Sequence, residues 1–169
     1  MKSAPEQATP ARIVVLWIMS VYRNVLLALH LFCGAAWLGG NFTQLFASRH
    51  LFRHADDTSA RWATTVQNMA ERYYNVAGAI LATTGVLMVI DGPYEFRDGF
   101  VMVGLATVTI GGLLGLFVFA PTAKRIGNAA EQRDASNFRR LITRYRYEAL
   151  VDTSFVMITI VAMVWKWKA

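Results

Sequence analysis

Four long apolar segments constrain this chain more than any other feature of its sequence. They cover residues 25–47, 73–90, 100–120 and 149–165, and each is long enough to cross about 30 Å of hydrocarbon as an α-helix. Because lipid offers no hydrogen-bonding partners, the backbone of each segment must satisfy itself, which favours helices. The sequence therefore predicts an all-α fold, a four-transmembrane-helix bundle.

The composition supports a membrane domain. Of the 169 residues, 55% are hydrophobic and 17% are charged, whereas a soluble domain carries about 25% charged residues. We interpret residues 1–12 as a flexible N-terminal tail and residues 13–169 as a single membrane domain. Residues 13–22 precede the first span, and they are predicted to form either an interfacial helix or an extension of that span.

The basic residues predict the orientation of the spans. Eleven of the seventeen Lys and Arg residues lie in the two longer loops, 48–72 and 121–147. The positive-inside rule places these loops in the cytoplasm and both termini outside, as in a multi-pass protein of the plasma membrane. Because the basic residues flank spans, we expect the lipid bilayer to be their partner, and no nucleic acid.

The loop before the fourth span carries an amphipathic pattern. Apolar side chains recur there at helical spacing, and arginines occupy the opposite face. The pattern predicts a short amphipathic helix that runs along the membrane surface into the fourth span, and residues 61–72 are predicted to lead similarly into the second. The predicted apolar face consists of Phe138, Leu141, Ile142 and Tyr145.

Small residues recur on one face of the second span and on one face of the third. Such faces let helices approach closely in lipid, where hydrophobicity cannot drive association. We expect them to pack within the chain, and a homodimer interface is the alternative. The residues concerned are Gly78, Ala82, Gly85, Gly104, Gly111 and Gly115.

His30 is the main candidate for a functional residue. It lies about 10 Å inside the first span, where an ionisable side chain is costly and by default functional. Cys33, Gly34 and Trp37 share its helix face, and nearby glycines leave room for a porphyrin, so His30 is a candidate axial ligand of haem b. Alternatively, a neutral His30 donates to a neighbouring carbonyl or hydroxyl, such as that of Thr83, Thr84 or Thr107.

Other candidate ligands are more widely spread. Met88, Met102 and Met163 lie at comparable depth and could supply a second haem ligand, although methionines in membrane helices usually serve packing. A copper(I) site could combine His30, Cys33 and a methionine.

A histidine pair lies at the cytoplasmic end of the first helix. His50 and His54 are spaced i, i+4 and could bind a metal together with Asp57, or they could form a solvated helix end.

Three polar residues lie near the inner ends of the spans. Asp152 is predicted about one turn inside the fourth span, where it is either part of an ion pair or a proton relay. Candidate partners in an ion pair are Arg49, Arg72 and Arg146. Asn41 and Gln44 in the first span are predicted to form interhelical hydrogen bonds.

The segment Leu29-His-Leu-Phe-Cys-Gly-Ala-Ala-Trp-Leu-Gly-Gly-Asn41, followed by Arg49, resembles the first helix of a group of small bacterial four-helix membrane proteins. The group includes a family of unknown function, the copper-resistance-D (CopD) domain and the HemJ-type protoporphyrinogen oxidases. In the HemJ-type family the corresponding histidine is functionally important and haem b is bound. The resemblance therefore implies a haem-binding role for His30.

Three functional hypotheses follow. The first is a haem- or redox-associated membrane protein with His30 as axial ligand. The second is a non-catalytic accessory subunit of a larger membrane complex, and the third is a small copper-handling or transport protein. The sequence contains no HExxH, Walker, GxSxG or GxGxxG motif, so hydrolase, NTPase and dinucleotide chemistry lack support and enzymatic activity is left open.

Overall fold

A computed structural model describes residues 10–165, without the side chains of residues 10–13, 15 and 16. In this part of the chain every regular element is helical, and four long helices follow one another: α1 (Pro10–Leu51), α2 (Asp57–Ile90), α3 (Gly99–Glu131) and α4 (Ala135–Trp165). Each of them contains a stretch that is long and apolar enough to cross a membrane. The predicted all-α fold with four potential transmembrane helices is therefore confirmed.

Helix α1 is longer than its predicted span. It is one helix of 42 residues, about 63 Å at 1.5 Å per residue, so residues 13–22 extend the first span along the same helix. The helix begins at Pro10, inside the segment predicted as a tail, and residues 1–9 lie outside the described residues. The Tyr22 hydroxyl donates to Asp91, which directly follows α2, so the turns before Tyr22 extend past the end of α2.

The four helices also continue beyond their apolar segments at the basic end of the molecule. There they enclose a hydrophobic core, called the inner core below. It is formed by the end of α1, the start of α2, the end of α3 and the start of α4. Its larger members are Phe52, Val66, Ile126, Phe138, Leu141, Ile142 and Tyr145.

This inner core changes the interpretation of the amphipathic segments. Residues 135–148 form the first turns of α4, and their predicted apolar face is buried against protein, with Phe138 2% and Tyr145 1% exposed. The segment expected to run along the membrane surface is thus continuous with α4, and its apolar face packs against protein. The reason is that small and apolar residues of α2 and α3, such as Ala63 and Ile126, offer a complementary face.

The glycine faces admit bulky side chains from neighbouring helices. Trp37 of α1 is 4% exposed and lies between Gly78 of α2 and Gly111 of α3. A Cβ atom at either glycine would lie 2.8 Å from the indole ring, which is too close for an alanine. The expected packing within the chain is therefore confirmed at these two positions.

Helices α2 and α3 each contain one π-helical turn. The turn in α2 covers Met69–Tyr73 and the turn in α3 covers Gly115–Phe119. The two turns lie close to each other, as a Cβ atom added at Gly115 would be 3.8 Å from the carbonyl oxygen of Ala70. Since π-helical turns are rare and frequently found at functional sites, this level of the bundle is of functional interest.

Candidate functional site

His30 is held by one of its two ring nitrogens. Its Nδ1 atom lies 3.1 Å from the carbonyl oxygen of Leu81 and 3.1 Å from the hydroxyl oxygen of Thr84, both on α2. The ring packs on Gly85, where an added Cβ would lie 3.2 Å from Cε1. An Nδ1–H group that donates to the Leu81 carbonyl satisfies this geometry, and in the described part of the chain Nε2 takes part in no hydrogen bond.

The space expected beside His30 is largely filled by protein. Gly34 faces the Leu81 side chain, and Gly40 is covered by Tyr74, whose hydroxyl would lie 2.7 Å from an added Cβ. Trp37 occupies its own slot between α2 and α3. Gly34 and Gly40 therefore leave no open space between His30 and Trp37, whereas Gly39 has no neighbouring atom within 4 Å of an added Cβ.

The three candidate methionines lie in different environments. Met88 follows Thr84 by one turn on the helix face that contacts His30. Met102 is 57% exposed on the surface of α3, and Met163 packs on Gly104. Of the three, Met88 is therefore the one that shares the helix face of a residue bonded to His30.

The remaining sulfur ligand, Cys33, is buried one turn after His30. Together with His30 it supplies two of the three ligands proposed for copper.

The histidine pair is not arranged as a metal site. Helix α1 ends at Leu51, so His50 and His54 do not share a helix face. His50 instead accepts a hydrogen bond of 2.9 Å from Arg53 through Nδ1. Among the described residues no group of three His, Cys, Asp or Glu side chains could hold a metal ion.

Asp152 is paired with an amide and not with an arginine. Its Oδ2 atom accepts a hydrogen bond of 2.8 Å from the side chain of Asn41, and the residue is 8% exposed. The predicted ion pair is therefore wrong: Arg49, Arg72 and Arg146 are exposed, whereas Asp152 faces the bundle interior.

A second buried hydrogen bond lies one turn away from the first. The side-chain oxygen of Gln44 accepts a hydrogen bond of 2.8 Å from the hydroxyl of Tyr145. The amide nitrogen of Gln44 lies 3.8 Å from the sulfur of Met69. The predicted interhelical hydrogen bonds of Asn41 and Gln44 are thus confirmed. They connect α1 to α4 at two successive levels.

A small cavity in the middle of the bundle is lined by the polar side chains of Asn41, Gln44 and Asp152. Its volume of about 30 Å³ is enough for one or two water molecules. The Tyr74 hydroxyl is buried in its wall and has no hydrogen-bond partner. Sequence reasoning missed Tyr74, because its orientation depends on a π-helical turn for which the sequence carries no signal. The cavity wall includes Trp37, Asn41, Gln44, Tyr74, Asp152 and Thr153.

Comparison with known protein families, with curated proteins and with solved structures finds no match to this chain. The resemblance of residues 29–41 to the CopD and HemJ-type group therefore stays a prediction.

Proposed function

We propose that this chain is a multi-pass protein of the bacterial inner membrane that binds haem b through His30 and acts in a redox reaction or in haem handling. The supporting observation is that Nδ1 of His30 pairs with the Leu81 carbonyl, while Nε2 is left for a ligand. Histidines that bind metals almost always donate their other ring N–H group in this way, which fixes the tautomer and the ring orientation.

The surroundings of His30 restrict where a porphyrin could bind. His30 lies at the boundary between two faces of α1, with Leu26 and Cys33 buried on one side. On the other side Leu27 is 47% and Leu31 is 62% exposed. Because the interior is filled, the residues fit haem only on this apolar outer side. Bound haem would supply a one-electron redox centre, and Met88 is the candidate second ligand.

The haem proposal is tested by absorption spectroscopy. The purified protein, or the protein reconstituted with haem, is expected to show a Soret band that His30→Ala abolishes, because no other described histidine lies within a span. Met88→Leu is expected to shift the band, and the matched Met102→Leu, at an exposed position, to leave it unchanged.

A colourless protein after reconstitution would contradict haem binding. In that case His30 serves packing alone, and His30→Leu should fold normally, since an apolar side chain avoids burying the polar ring.

Co-purification with larger subunits in mild detergent would then support the accessory-subunit hypothesis. Copper at stoichiometric amounts, lost in Cys33→Ala, would support the copper-handling hypothesis.

The proposed orientation places the basic inner core in the cytoplasm and both termini outside. Reporter enzymes fused after Lys168 and inserted between Gly92 and Pro93 are expected to report the outer side. A reporter inserted at Arg133, in the short link between α3 and α4, is expected to report the cytoplasm. A cytoplasmic signal from the fusion after Lys168 would invert the whole topology.

A further inference from the structure

A carboxyl group without a cationic partner lies inside the described bundle. The ion pairs of the described residues join Arg97 to Glu95 and Arg144 to Glu148, and neither includes Asp152. An isolated carboxylate away from water is strongly disfavoured, so such a group usually takes up a neutralising partner. The one hydrogen bond of the Asp152 carboxyl comes from the neutral amide of Asn41.

The helices around Asp152 present no positive charge to it. Helix α1 presents Asn41 and Gln44, and the wall formed by α3 has no titratable group. Helix α2 presents the Tyr74 hydroxyl. On α4 itself, Tyr145 donates to Gln44. Glu148 is paired with Arg144 through Oε1, and its buried Oε2 has no hydrogen-bond partner.

The other oxygen of Asp152 lies on the side of α3. A Cβ atom at Gly111 would lie 3.7 Å from Oδ1, so this oxygen is close to the glycine that also borders the cavity. The cavity thus has an acidic oxygen on one wall and the unpartnered Tyr74 hydroxyl on another. A water molecule in the cavity is the simplest partner for both groups, because buried waters typically make about three hydrogen bonds.

We infer that this cavity is a proton-binding site in the interior of the membrane domain. Asp152 holds a proton on Oδ1 and accepts the Asn41 hydrogen bond on Oδ2, and cavity water connects the acid to the Tyr74 hydroxyl. The proton comes from hydronium, which becomes water when the carboxylate becomes a carboxylic acid. Charge is conserved, and the bundle interior becomes neutral.

The donor from Asn41 favours a proton over a metal cation as the ligand. Its NH₂ group points at Oδ2, and the partial positive charge of its hydrogens would repel a cation bound to the same oxygen. A neutral acid, in contrast, uses this donor at its carbonyl oxygen and offers its own O–H group to the cavity. The two π-helical turns contribute Ala70 and Gly115 to the cavity wall, so the proton site borders two irregular helix segments.

Infrared spectroscopy of the full-length protein in lipid nanodiscs tests the inference. The wild type at neutral pH is expected to show the C=O stretching band of a buried carboxylic acid, which shifts in D₂O as the cavity exchanges its water. Asp152→Asn is expected to remove the band. The matched variant Glu148→Gln, one turn earlier on α4, is expected to retain it.

The Asn41→Leu variant keeps the test decisive if Asp152→Asn does not fold. Loss of the Asn41 hydrogen bond should move the acid band to higher frequency, whereas an unshifted band would show that another residue produces it. A carboxylate band for Asp152 at neutral pH would overturn the inference. Loss of the acid band on addition of sodium ions at constant pH would also overturn it in favour of a cation site.

Discussion

Replacing Trp37 with alanine is expected to lower the free energy of unfolding by about 3 kcal/mol. The indole is 4% exposed and fills the slot between Gly78 and Gly111, so its removal leaves a cavity between three helices. Large-to-small substitutions of buried aromatic residues cost about 3–5 kcal/mol. We expect the lower end, because lipid replaces water as solvent and packing provides most of the stabilisation. The measurement is unfolding in mixed detergent micelles, followed by circular dichroism.

Phe32 provides the matched control for this substitution. It lies on the same helix but is 72% exposed, so Phe32→Ala is expected to change the free energy of unfolding by less than about 0.5 kcal/mol. Gly111→Ala is also expected to destabilise, since its Cβ would lie 2.8 Å from Trp37. In the Trp37→Ala background this effect should largely disappear, and strictly additive effects would contradict the packing.

The transmembrane helices could be predicted from the sequence because a single property identifies them. Runs of about 20 apolar residues have few alternatives to a membrane span, so all four segments were found. The polar residues Asn41 and Gln44 were recognisable for a related reason, since amides in a span need partners on neighbouring helices. Their actual partners, Asp152 and Tyr145, lie about 100 residues away, and helix register fixes these pairs.

The ends of the helices were harder to predict than their apolar centres. The histidine pair was placed on one helix, although α1 ends at Leu51 and α2 begins at Asp57. A local signal for this break does exist, because Asp56 caps α2 by accepting a hydrogen bond from the backbone of Ser59.

The cavity could not be predicted from the sequence at all. It depends on two π-helical turns and on a tyrosine hydroxyl that the turn in α2 directs inward, and neither has a sequence signature. The glycines near His30 were interpreted as room for a porphyrin. The sequence could not reveal that Leu81, Tyr74 and the imidazole ring fill the space they leave.

Phe138→Ala is expected to lower the free energy of unfolding by about 3–5 kcal/mol. This effect is larger than that of Trp37→Ala because the inner core lies beyond the apolar spans, where burial away from water adds the hydrophobic contribution. Phe138 is 2% exposed and makes an edge-on contact with Phe52 at a centroid distance of 6.2 Å. Tyr147→Ala, on the same helix at a position that is 71% exposed, is the control and should have little effect. The two variants are compared by the same micelle unfolding assay.

Phe138→Ala, together with Phe52→Ala, also distinguishes the inner core from a helix on the membrane surface. If residues 135–148 lay in the lipid interface, Phe138 would contact lipid, and its replacement would cost little folding free energy while weakening contact of this segment with the bilayer. A packed core instead predicts a large loss for Phe138→Ala and a comparable loss for Phe52→Ala, because the two rings contact each other. The double variant should then cost less than the sum of the single variants, since either substitution alone already removes the shared contact.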